Sequence, residues 1–449
     1  MIISDAISSK AHAIPVDFPG VYPAKSRTPS GKVNIKRSIE SRLPPQSSTR
    51  IVLLTGARQT GKTTLLRHLY PTLTYINLDA PENRDALRSL STFAWAKTVG
   101  NAIIDEAQKE PSVFEKVKHA FDAKSIRFTV LSGSAQILLL RSVREVLAGR
   151  VFLYELYPLM LCELASAPGS SASKPPLLAH LIQSKAGIAD VLNQASPRLL
   201  PEQQHFLSEK EHYLLTWGGM PALLELNDAD RTEWLRSYTY TYLERDMADL
   251  ARLNDLSPFK TFQRLAALRS AQLLSYAELG RDAGVSADTA RRYLEYLRIS
   301  YQNVLLPPFS RNLTSRVVKT PKLYWLDVGL LRQMTGYHGD PTGPVFETYV
   351  VSEVYKWIKT SATEAELTFY RTRSGLELDL LIQTPRGILG MEIKSRQRVD
   401  TPDLYALREV ARALGSEWLG GLCVYRGSEI RFMGEPSIWA VPSSRLLSP

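Results

Sequence analysis

Four short apolar runs alternate with helical patterns over roughly the first third of the chain. We predict that these runs form strands, at Ile51–Leu54, Tyr75–Asp79, Ala102–Asp105 and Phe128–Leu131. Apolar residues recur at helical spacing between them, and the first helix is predicted from Lys62 to Leu69. Continuous apolar strands that alternate with helices are typical of a parallel sheet covered on both faces. The sequence therefore predicts an α/β domain in this part of the chain.

The pattern changes after residue 164. Ser and Pro are frequent over residues 165–205, which we predict to be a mobile insertion with one short helix, Leu177–Gln183. Phe206–Leu256 has helical spacing, interrupted at Gly218-Gly219-Met220-Pro221. Short helices and a basic helix are expected after Phe259, and another helix from Tyr349. The last predicted elements are Gly375–Gln383, Gly387–Lys394, Leu404–Leu414 and Gly421–Tyr425.

Composition narrows the class of protein. At roughly 150 residues per domain, 449 residues are too many for one ordinary core. A hydrophobic share of 44% and a charged share of 22% exclude wholesale disorder. The two cysteines, Cys162 and Cys423, exclude a disulfide scaffold and a Cys-rich metal site. The longest uncharged apolar-rich run, Phe128–Leu140, is too short for a bilayer, and no signal peptide is visible. We therefore expect a cytoplasmic protein with no membrane partner.

The net charge of +10 is unevenly distributed. Phe259–Trp325 contains eleven Lys or Arg and four Asp or Glu, and Met1–Arg50 contains eight and three. The rest of the chain therefore carries a charge of about −2. Two basic stretches on a nearly neutral body indicate an anionic partner such as DNA. The alternative is that these charges serve solubility.

A phosphate-binding motif follows the first predicted strand. Gly56–Thr63 fits G-x-x-x-x-G-K-[ST], and a helix is predicted directly after it. Backbone N–H groups and the helix N-terminus would face a polyphosphate, Lys62 would add a full charge, and the Thr63 hydroxyl would bind Mg²⁺. The predicted ATP-binding residues are Gly56, Ala57, Arg58, Gln59, Thr60, Gly61, Lys62, Thr63 and Thr64.

A carboxylate pair ends the third predicted strand. Asp105 can hold the Mg²⁺ shell, and Glu106 can polarise the attacking water as a general base. Hydrolysis, as distinct from binding, depends on Glu106. The alternative is an ordinary helix cap after a strand.

Two further residues are candidates for contact with the γ-phosphate. Ser134 follows the fourth strand in Ser132-Gly133-Ser134 and could sense the phosphate. Arg150 precedes another apolar strand and could reach a γ-phosphate in its own chain or in a neighbouring subunit. A simple turn and a surface arginine are the respective alternatives.

These motifs resemble the bacterial and archaeal ATP-binding proteins that join an AAA-type ATPase domain to a C-terminal domain of unknown function. The resemblance spans roughly Ile51–Val424 and implies ATP binding and hydrolysis, without a cellular role. Residues 165–204 depart from the compact family pattern. The matching strings are Thr55–Thr64, Asp105-Glu106-Ala107-Gln108 with Pro111, Ser132-Gly133-Ser134, Leu147-Ala148-Gly149-Arg150, Gly218-Gly219-Met220-Pro221, Glu244-Arg245-Asp246 and Lys319-Thr320-Pro321-Lys322-Leu323-Tyr324.

A helix-turn-helix candidate lies in the basic stretch after Phe259. Ser275–Val285 is predicted as a short helix and a turn, and Ser286 is expected to cap a second helix, Ala287–Ile299. This arrangement fits a winged-helix unit. On the second helix, Thr289 could face a DNA groove, and three arginines could contact phosphates. They are Arg291, Arg292 and Arg298. Winged-helix units in ATPases also serve as protein spacers, which is the alternative.

A nuclease-like constellation occurs near the C-terminus. Asp379 and Glu392 lie on two predicted strands joined as a hairpin, and Lys394 is two residues after Glu392. One Mg²⁺ between the two carboxylates, with the adjacent lysine, can activate water against a phosphodiester. The D-x12-E-x-K spacing resembles the restriction-endonuclease-like fold. Glu347 is expected to open the preceding helix and matches the acid on that helix of the fold. A structural remnant or a DNA-binding module without cleavage is the alternative.

The combined prediction is an α/β fold with a P-loop AAA-type domain, a winged-helix region and a C-terminal restriction-endonuclease-like domain. The leading hypothesis is a Mg²⁺-dependent ATPase that couples hydrolysis to C-terminal modules acting on DNA. The alternative is a nucleotide-gated switch that docks a protein partner with little turnover, and a homo-oligomer remains open. The predicted segments are a basic tail (1–47), the ATPase core (48–164), the insertion (165–205), a helical lid or linker (206–257), the winged-helix-like unit (258–310) and the C-terminal domain (311–449).

Overall fold

The computed structural model describes residues 22–23, 35–134, 143, 145–166, 173–240, 256–311 and 320–449. The Glu244-Arg245-Asp246 string, most of the basic tail and the residues directly after Ser134 lie outside these ranges. Within the described ranges, no helix is both long enough and apolar enough to cross a membrane.

The N-terminal part forms a six-stranded sheet with the order β1-β3-β4-β5-β2-β6. Its strands are β1 (Tyr22–Pro23), β2 (Arg50–Thr55), β3 (Thr74–Asn77), β4 (Ala102–Asp105), β5 (Phe128–Gly133) and β6 (Val151–Glu155). Its helices are α1 (Lys62–Leu69), α2 (Pro81–Ser89), α3 (Trp95–Thr98) and α4 (Ser112–Asp122). All neighbouring strands are parallel except β1, which is antiparallel to β3. The predicted parallel α/β sheet is therefore confirmed.

Burial on both faces explains the continuous apolar strands. Ile51 and Leu53 of β2 pack into a core cluster on one face of the sheet. Val52 and Leu54 pack into a different cluster on the other face. Successive strand residues point to opposite faces, so a strand covered on both sides must be apolar at every position.

Between residues 161 and 240, the described part of the chain contains five α-helices. They are α5 (Leu161–Leu164), α6 (Leu177–Gln183), α7 (Ile188–Gln194), α8 (Pro201–Trp217) and α9 (Asp228–Tyr238). The predicted helix at 177–183 is confirmed, whereas α7 was not predicted. Ile188 and Leu192 of α7 are buried in the largest core cluster, as are Leu178 and Leu181 of α6. The described part of the expected insertion is thus packed into the core. The apolar residues of each helix lie on one face, and that face packs against the rest of the core cluster.

Residues 256–311 and 320–325, the described part of this region, form three helices and a small antiparallel sheet. The elements are α10 (Ser257–Leu268), β7 (Gln272–Leu273), α11 (Tyr276–Asp282), α12 (Ala287–Ile299), β8 (Asn303–Leu306) and β9 (Lys322–Trp325). The sheet order is β7-β9-β8. The Ser286 side chain accepts a hydrogen bond from the Thr289 N–H, as expected for a helix cap.

The C-terminal part contains a second six-stranded sheet with the order β10-β11-β12-β13-β15-β14. Its strands are β10 (Glu366–Arg371), β11 (Glu377–Thr384), β12 (Gly387–Lys394), β13 (Trp418–Tyr425), β14 (Arg431–Gly434) and β15 (Ile438–Pro442). The associated helices are α13 (Val328–Thr335), α14 (Gly343–Ser361), α15 (Tyr405–Leu414) and α16 (Ser443–Leu446). β12, β13 and β15 are mutually parallel, and the other neighbours are antiparallel.

Helix α14 begins earlier than the sequence indicated, at Gly343 instead of Tyr349. Pro344 lies in its first turn, where the missing N–H costs no helical hydrogen bond. Glu347 therefore lies one turn inside the helix instead of opening it.

Candidate nucleotide site and acidic cluster

The loop after β2 has a backbone that requires glycine. A Cβ atom on Gly56 would lie 2.2 Å from the Leu156 carbonyl oxygen, so the loop passes too close to the next segment for any side chain. Gly61, at the start of α1, has a φ of +92°, in the region that favours glycine. Gly56 thus allows the loop to pass close to Leu156, and Gly61 allows the left-handed turn before α1.

Lys62 is buried within this loop. Its ammonium group donates hydrogen bonds to the carbonyl oxygens of Gly56 (2.9 Å) and Ala57 (2.8 Å). The positive charge is therefore held against the same backbone whose N–H groups are expected to bind phosphate.

Asp105 lies at the carboxyl end of β4 and joins the loop to the neighbouring strands. Its carboxylate accepts hydrogen bonds from Thr63 Oγ1 (2.6 Å), Ser132 Oγ (2.5 Å) and the Tyr75 hydroxyl (2.8 Å). Thr63 and Asp105, the two predicted Mg²⁺ ligands, are thus in direct contact. Burial and the negative charge of Asp105 raise the pKa of Tyr75, so this phenol stays a donor.

Sequence reasoning did not assign Ser132 or Tyr75. Ser132 lies near the carboxyl end of β5, where parallel strands bring their last residues to one edge. Tyr75 is the second residue of β3 and pairs with Ile103, two residues before Asp105, so the length of its side chain brings the hydroxyl to the carboxylate. The Ser132-Gly133-Ser134 string was the available signal, and it pointed to the second serine instead of the first.

Glu106 follows Asp105 with a left-handed backbone, φ +55°. Its Oε2 accepts a hydrogen bond from the Gln108 side-chain amide at 2.5 Å. The Ser134 hydroxyl lies 3.5 Å from the same oxygen. The structure therefore brings Ser134 to Glu106, and Gln108 is an additional partner that was quoted in the motif without a role.

Arg150 lies at the opposite end of the sheet from the P-loop. It precedes β6, whose Val151 pairs with Ile51 at the amino end of β2. Its guanidinium donates to both carboxylate oxygens of Asp122, at 2.7 and 3.0 Å. Five strand residues separate it from the loop, about 16 Å at 3.3 Å per residue. Arg150 thus lies away from the P-loop and is paired with Asp122, and its contact with a γ-phosphate, in its own chain or in a neighbouring subunit, stays a prediction.

Two side chains from outside the sheet hold the P-loop, and a third holds the strand residue directly before it. Arg37 donates to the Thr60 carbonyl at 2.9 Å. The Tyr238 hydroxyl donates to the Arg58 carbonyl at 3.1 Å. The third is Tyr301, whose hydroxyl lies 2.7 Å from Thr55 Oγ1 and donates to Glu155 at 3.0 Å. These partners are far from the motif in sequence, so its pattern gave no sign of them.

A small cleft of about 120 Å³ adjoins the P-loop and α1. The segment before β2, helix α1 and the loop after Gly218-Gly219-Met220 form its walls. Apolar groups line it together with polar ones from the loop. The residues that matter for a ligand are Ile35, Arg37, Thr64, Leu65, Pro221 and Leu224.

The predicted acidic residues of the C-terminal part lie in one cluster around a lysine. The Lys322 ammonium, on β9, is 3.1 Å from Glu347, 2.5 Å from Glu377 and 3.8 Å from Asp379. The Tyr324 hydroxyl donates to Glu347 at 2.6 Å. Lys322 and Tyr324 stand in the Lys319–Tyr324 string, but the sequence gave no sign that this string meets the acids.

The second half of the cluster lies on β11 and β12. The Ile393 N–H donates to Asp379 at 2.8 Å, and Lys394 donates to Glu392 Oε1 at 2.5 Å. Glu392 Oε2 is buried without a hydrogen-bond partner. Burial, followed by the charge of Asp379, raises the pKa of Glu392 to about 8 and that of Glu347 to about 7. Burial likewise raises the pKa of Asp379.

The metal prediction for this cluster remains open. Among the residues with described positions, no group of three or more His, Cys, Asp or Glu side chains is arranged to hold a metal ion. Lys322 already supplies a positive charge to Glu347, Glu377 and Asp379. Asp379 and Glu392 as ligands therefore stay a prediction.

Two of the three candidate arginines on the basic helix α12 already have partners within the protein. Arg298 binds Glu295 through two nitrogens, at 2.5 and 2.8 Å. The Arg291 guanidinium lies 4.9 Å from the centre of the Tyr276 ring. Arg292 is exposed. The Thr289 hydroxyl is hydrogen-bonded to the Ser286 hydroxyl at 3.0 Å, within the cap.

Comparisons with protein families divide the chain into three matched regions. Residues 48–165 match the model of an AAA domain. Residues 208–340 and 342–446 match two domains of unknown function, DUF8612 and DUF4143. The chain thus carries an AAA-type P-loop ATPase domain followed by a C-terminal DUF4143 domain.

Among known proteins, the chain is 29% identical over 408 residues to uncharacterised proteins of Mycobacterium bovis and Mycobacterium tuberculosis. The match covers 89% of this chain and 81% of each relative.

Two solved structures from archaea are also similar. A Walker-type ATPase of Pyrococcus abyssi has a TM-score of 0.41 at 15% identity, covering 66% of this chain and 94% of its own. A signal transduction ATPase with a tetratricopeptide repeat sensor from Pyrococcus horikoshii has a TM-score of 0.25 at 12% identity, covering 74% and 48%.

Proposed function

We propose that the protein binds ATP with Mg²⁺ at the P-loop and hydrolyses it. The observation that carries this proposal is the 2.6 Å contact between Thr63 Oγ1 and Asp105, beside Lys62 and Glu106 at one edge of a parallel sheet. A hydroxyl and a carboxylate in contact suit the oxygen ligands that Mg²⁺ prefers. The bound metal would neutralise charge on the phosphates.

Each residue has a role that follows from its position. Lys62 supplies a charge to the β- and γ-phosphates, and the loop N–H groups bind their oxygens. Glu106 orients and polarises the attacking water. Gln108 holds the Glu106 carboxylate by its 2.5 Å hydrogen bond. Ser134, 3.5 Å from the same carboxylate, links Glu106 to the end of β5 and could report the state of the phosphate.

The cleft beside α1 is suited to the base of the nucleotide. Ile35 and Pro221 offer apolar surfaces to a flat ring, and Thr64 lies one residue beyond the P-loop threonine. Arg37, which lines the cleft, also holds the Thr60 carbonyl. Binding in this cleft would therefore act on the loop that carries the phosphates.

ATP occupancy is coupled, in this proposal, to the C-terminal modules. Tyr301 follows α12 and reaches Thr55 at the end of β2. Tyr238, at the end of α9, reaches the Arg58 carbonyl. Both contacts connect the nucleotide-binding region to elements outside the sheet. A shift of the loop on ATP binding would therefore displace Tyr301 and Tyr238 and the elements that carry them.

The rate of ATP hydrolysis with Mg²⁺, with and without duplex DNA, tests this function. We expect turnover that depends on Mg²⁺ and rises when DNA is added. ATP binding without turnover would favour the alternative, a nucleotide-gated switch that docks a protein. Failure to bind ATP at all would contradict both.

A second candidate function is cleavage of DNA by the acidic cluster. The buried Glu392 Oε2 favours it, because this oxygen has no hydrogen-bond partner and could be a ligand for a metal ion. The chain order of the elements also supports it: α14, then β10, β11 and β12, then α15 and β13, as in restriction-endonuclease-like domains. The described residues 256–311 and 320–325 run helix, strand, two helices, two strands, which supports a winged-helix unit that could hold the DNA.

Incubation with branched, single-stranded and duplex DNA plus Mg²⁺ or Mn²⁺ tests this second function. Cleavage that disappears in Asp379→Ala would support a nuclease. If no substrate is cut and DNA binding is unchanged in Asp379→Ala, the cluster is structural, with Lys322 as its permanent counter-ion.

A further inference from the structure

A polar cavity of about 590 Å³ lies at the carboxyl ends of the parallel strands β12, β13 and β15. The loops after β12 and β13 line it, together with helix α8 and the start of α16. The open edge at the carboxyl ends of parallel strands is where α/β folds commonly place ligands. The cavity belongs to a different sheet from the P-loop, so a ligand could bind there whether or not the protein hydrolyses ATP.

Three arginines give the cavity its charge. They are Arg398, Arg426 and Arg431. Within the part of the chain that the structure describes, no hydrogen bond or ion pair from the guanidinium of Arg398 or Arg426 is found. The Arg431 Nε is buried without a partner, and its Nη2 only reaches the Val399 carbonyl at 3.5 Å. Guanidinium groups whose N–H donors lack protein partners are suited to paired hydrogen bonds with phosphate oxygens.

The acids that line the cavity offset part of this positive charge. Glu429 accepts a hydrogen bond from Arg198 at 3.2 Å, so its charge is engaged outside the arginine group. At the turn before α15, the Asp400 N–H donates to the Asp403 carboxylate at 2.8 Å, and the exposed Asp400 carboxylate lies at the rim of the cavity. Glu211 also lines the cavity, and its Oε1 is buried without a hydrogen-bond partner.

Glu211 is suited to act as a hydrogen-bond donor near neutral pH. Burial raises its pKa to about 7, although a hydrogen bond from Ser443 and the charge of Arg426 lower it. Glu353 on α14 raises it further, and Tyr349 on the same helix also interacts with it. A raised pKa means that the proton is held below pH 7 and lost above it. The protonated carboxyl could then donate to an anion, whereas the ionised form would repel it.

We propose that this cavity is a binding site for a phosphate-bearing small molecule of about nucleotide size, held by Arg398, Arg426 and Arg431. Its volume lies within the range of small-molecule sites, roughly 300–1,000 Å³. Three guanidiniums and the serine hydroxyls of the rim provide donors, and Glu211 lies at the buried end. The phosphate of a nucleic acid strand offers the same chemistry and is distinguished by the test.

The test uses the full-length Lys62→Ala variant, so that phosphate binding at the P-loop does not contribute. Adenosine monophosphate, inorganic phosphate and a short single-stranded oligonucleotide are titrated by calorimetry. We expect adenosine monophosphate to bind, and Arg398→Ala with Arg426→Ala to weaken binding at least tenfold. Arg412→Ala is the matched control, because Arg412 is an exposed arginine on α15 outside the cavity and should leave affinity within twofold.

Several outcomes decide the proposal. No binding of any of the three probes at millimolar concentration would overturn it, and so would equal affinity in the double variant and its parent. A melting temperature for each variant excludes unfolding as the cause of lost binding. If the double variant unfolds, Arg398→Ala alone replaces it, because Arg398 is exposed. Tighter binding of the oligonucleotide than of the monophosphate would assign the phosphate to nucleic acid and overturn the small-molecule ligand.

Sulfate tests the role of Glu211, because its own charge does not change between about pH 6 and pH 8. We expect sulfate affinity in the Lys62→Ala parent to fall across this interval as Glu211 loses its proton. Glu211→Gln should bind sulfate with little dependence on pH. The same decrease of sulfate affinity in both proteins would show that Glu211 does not contribute to binding. The assignment of the arginines would be unaffected.

Discussion

At the scale of single residues, Asp105 organises the candidate ATP site. It accepts hydrogen bonds from Thr63, Ser132 and Tyr75, three donors from three different elements. This arrangement fixes the carboxylate before any ligand arrives, so little ordering would be needed when Mg²⁺ binds. Glu106 is held less tightly, by Gln108 and at longer distance by Ser134, which suits a group that must act on water.

The first prediction separates binding from hydrolysis. Lys62→Ala should abolish tight ATP binding, because the phosphates lose their direct charge partner. Glu106→Gln should bind ATP normally and hydrolyse it about a hundredfold more slowly or worse, because the water loses its base. ATP affinity and steady-state phosphate release measure the two effects. Glu115→Gln, an exposed acid on α4, is the control, and an unchanged rate in Glu106→Gln would refute the assigned role.

At the scale of elements, the glycine pair at 218–219 is a junction between three segments. The Leu159 N–H donates to the Gly219 carbonyl at 2.7 Å, and Asp327 accepts from the Gly219 N–H at 2.8 Å. A Cβ on Gly219 would lie 2.3 Å from the Leu159 carbonyl, and one on Gly218 would lie 2.2 Å from Asp327. The segment after β6, the end of α8 and the start of α13 therefore meet here without room for side chains.

The second prediction concerns this junction. Gly219→Ala should destabilise the protein by about 1–3 kcal/mol, because overpacking against backbone atoms forces segments apart. Denaturant unfolding measures the change. Gly343→Ala is the matched control, because no atom lies within 4 Å of its added Cβ. Equal stability of the two variants would show that the junction can relax at no cost.

The third prediction concerns helix α12 and DNA. If this helix contacts phosphates, Arg291→Ala with Arg292→Ala should weaken binding of all DNA sequences and reduce the salt slope by about 0.9 per lost contact. Arg298→Ala should have a smaller effect, because Glu295 already pairs with that arginine. DNA affinity at several salt concentrations measures both. Unchanged affinity and salt slope would show that these arginines do not contact DNA and only form a solvent-exposed face of the helix.

Local signals explain which elements the sequence could reveal. Helix α1 was predicted with its ends, because a glycine turn precedes it and an apolar strand precedes that turn. The hairpin of β11 and β12 was visible from its alternation. Helix α7 was missed, since two buried residues in a Ser- and Pro-rich stretch are too weak a pattern. The contact of Lys322 with Glu347 could not be found, because it depends on how β9 packs against α14.

At the scale of the whole molecule, Tyr301 is the contact that could carry a signal from the nucleotide to the rest of the chain. Its hydroxyl bridges Thr55, one residue before the P-loop, and Glu155 at the end of β6. Its ring packs edge-on against Tyr157, which in turn packs against Tyr355 on α14. The same helix carries Glu347 of the acidic cluster. One continuous set of contacts thus joins the two candidate sites.

The last prediction tests whether these contacts transmit nucleotide binding. Tyr301→Phe keeps the ring but removes both hydrogen bonds, at a typical cost of about 0.5–1.5 kcal/mol per bond. In the parent, a non-hydrolysable ATP analogue should change hydrogen exchange in α12 and α14. In Tyr301→Phe, the analogue should still bind within about threefold, since the P-loop is intact, but the change in α12 and α14 should be lost.

Tyr296→Phe is the matched control, because it removes a hydroxyl from α12 without touching the P-loop contact. It should respond to the analogue as the parent does. If Tyr301→Phe also responds as the parent does, the hydroxyl bridge is only a packing contact. Coupling would then have to pass through the hydrogen bond from Tyr238 to the Arg58 carbonyl or through Arg37. A loss of analogue binding in Tyr301→Phe would instead mean that the bridge shapes the nucleotide site itself.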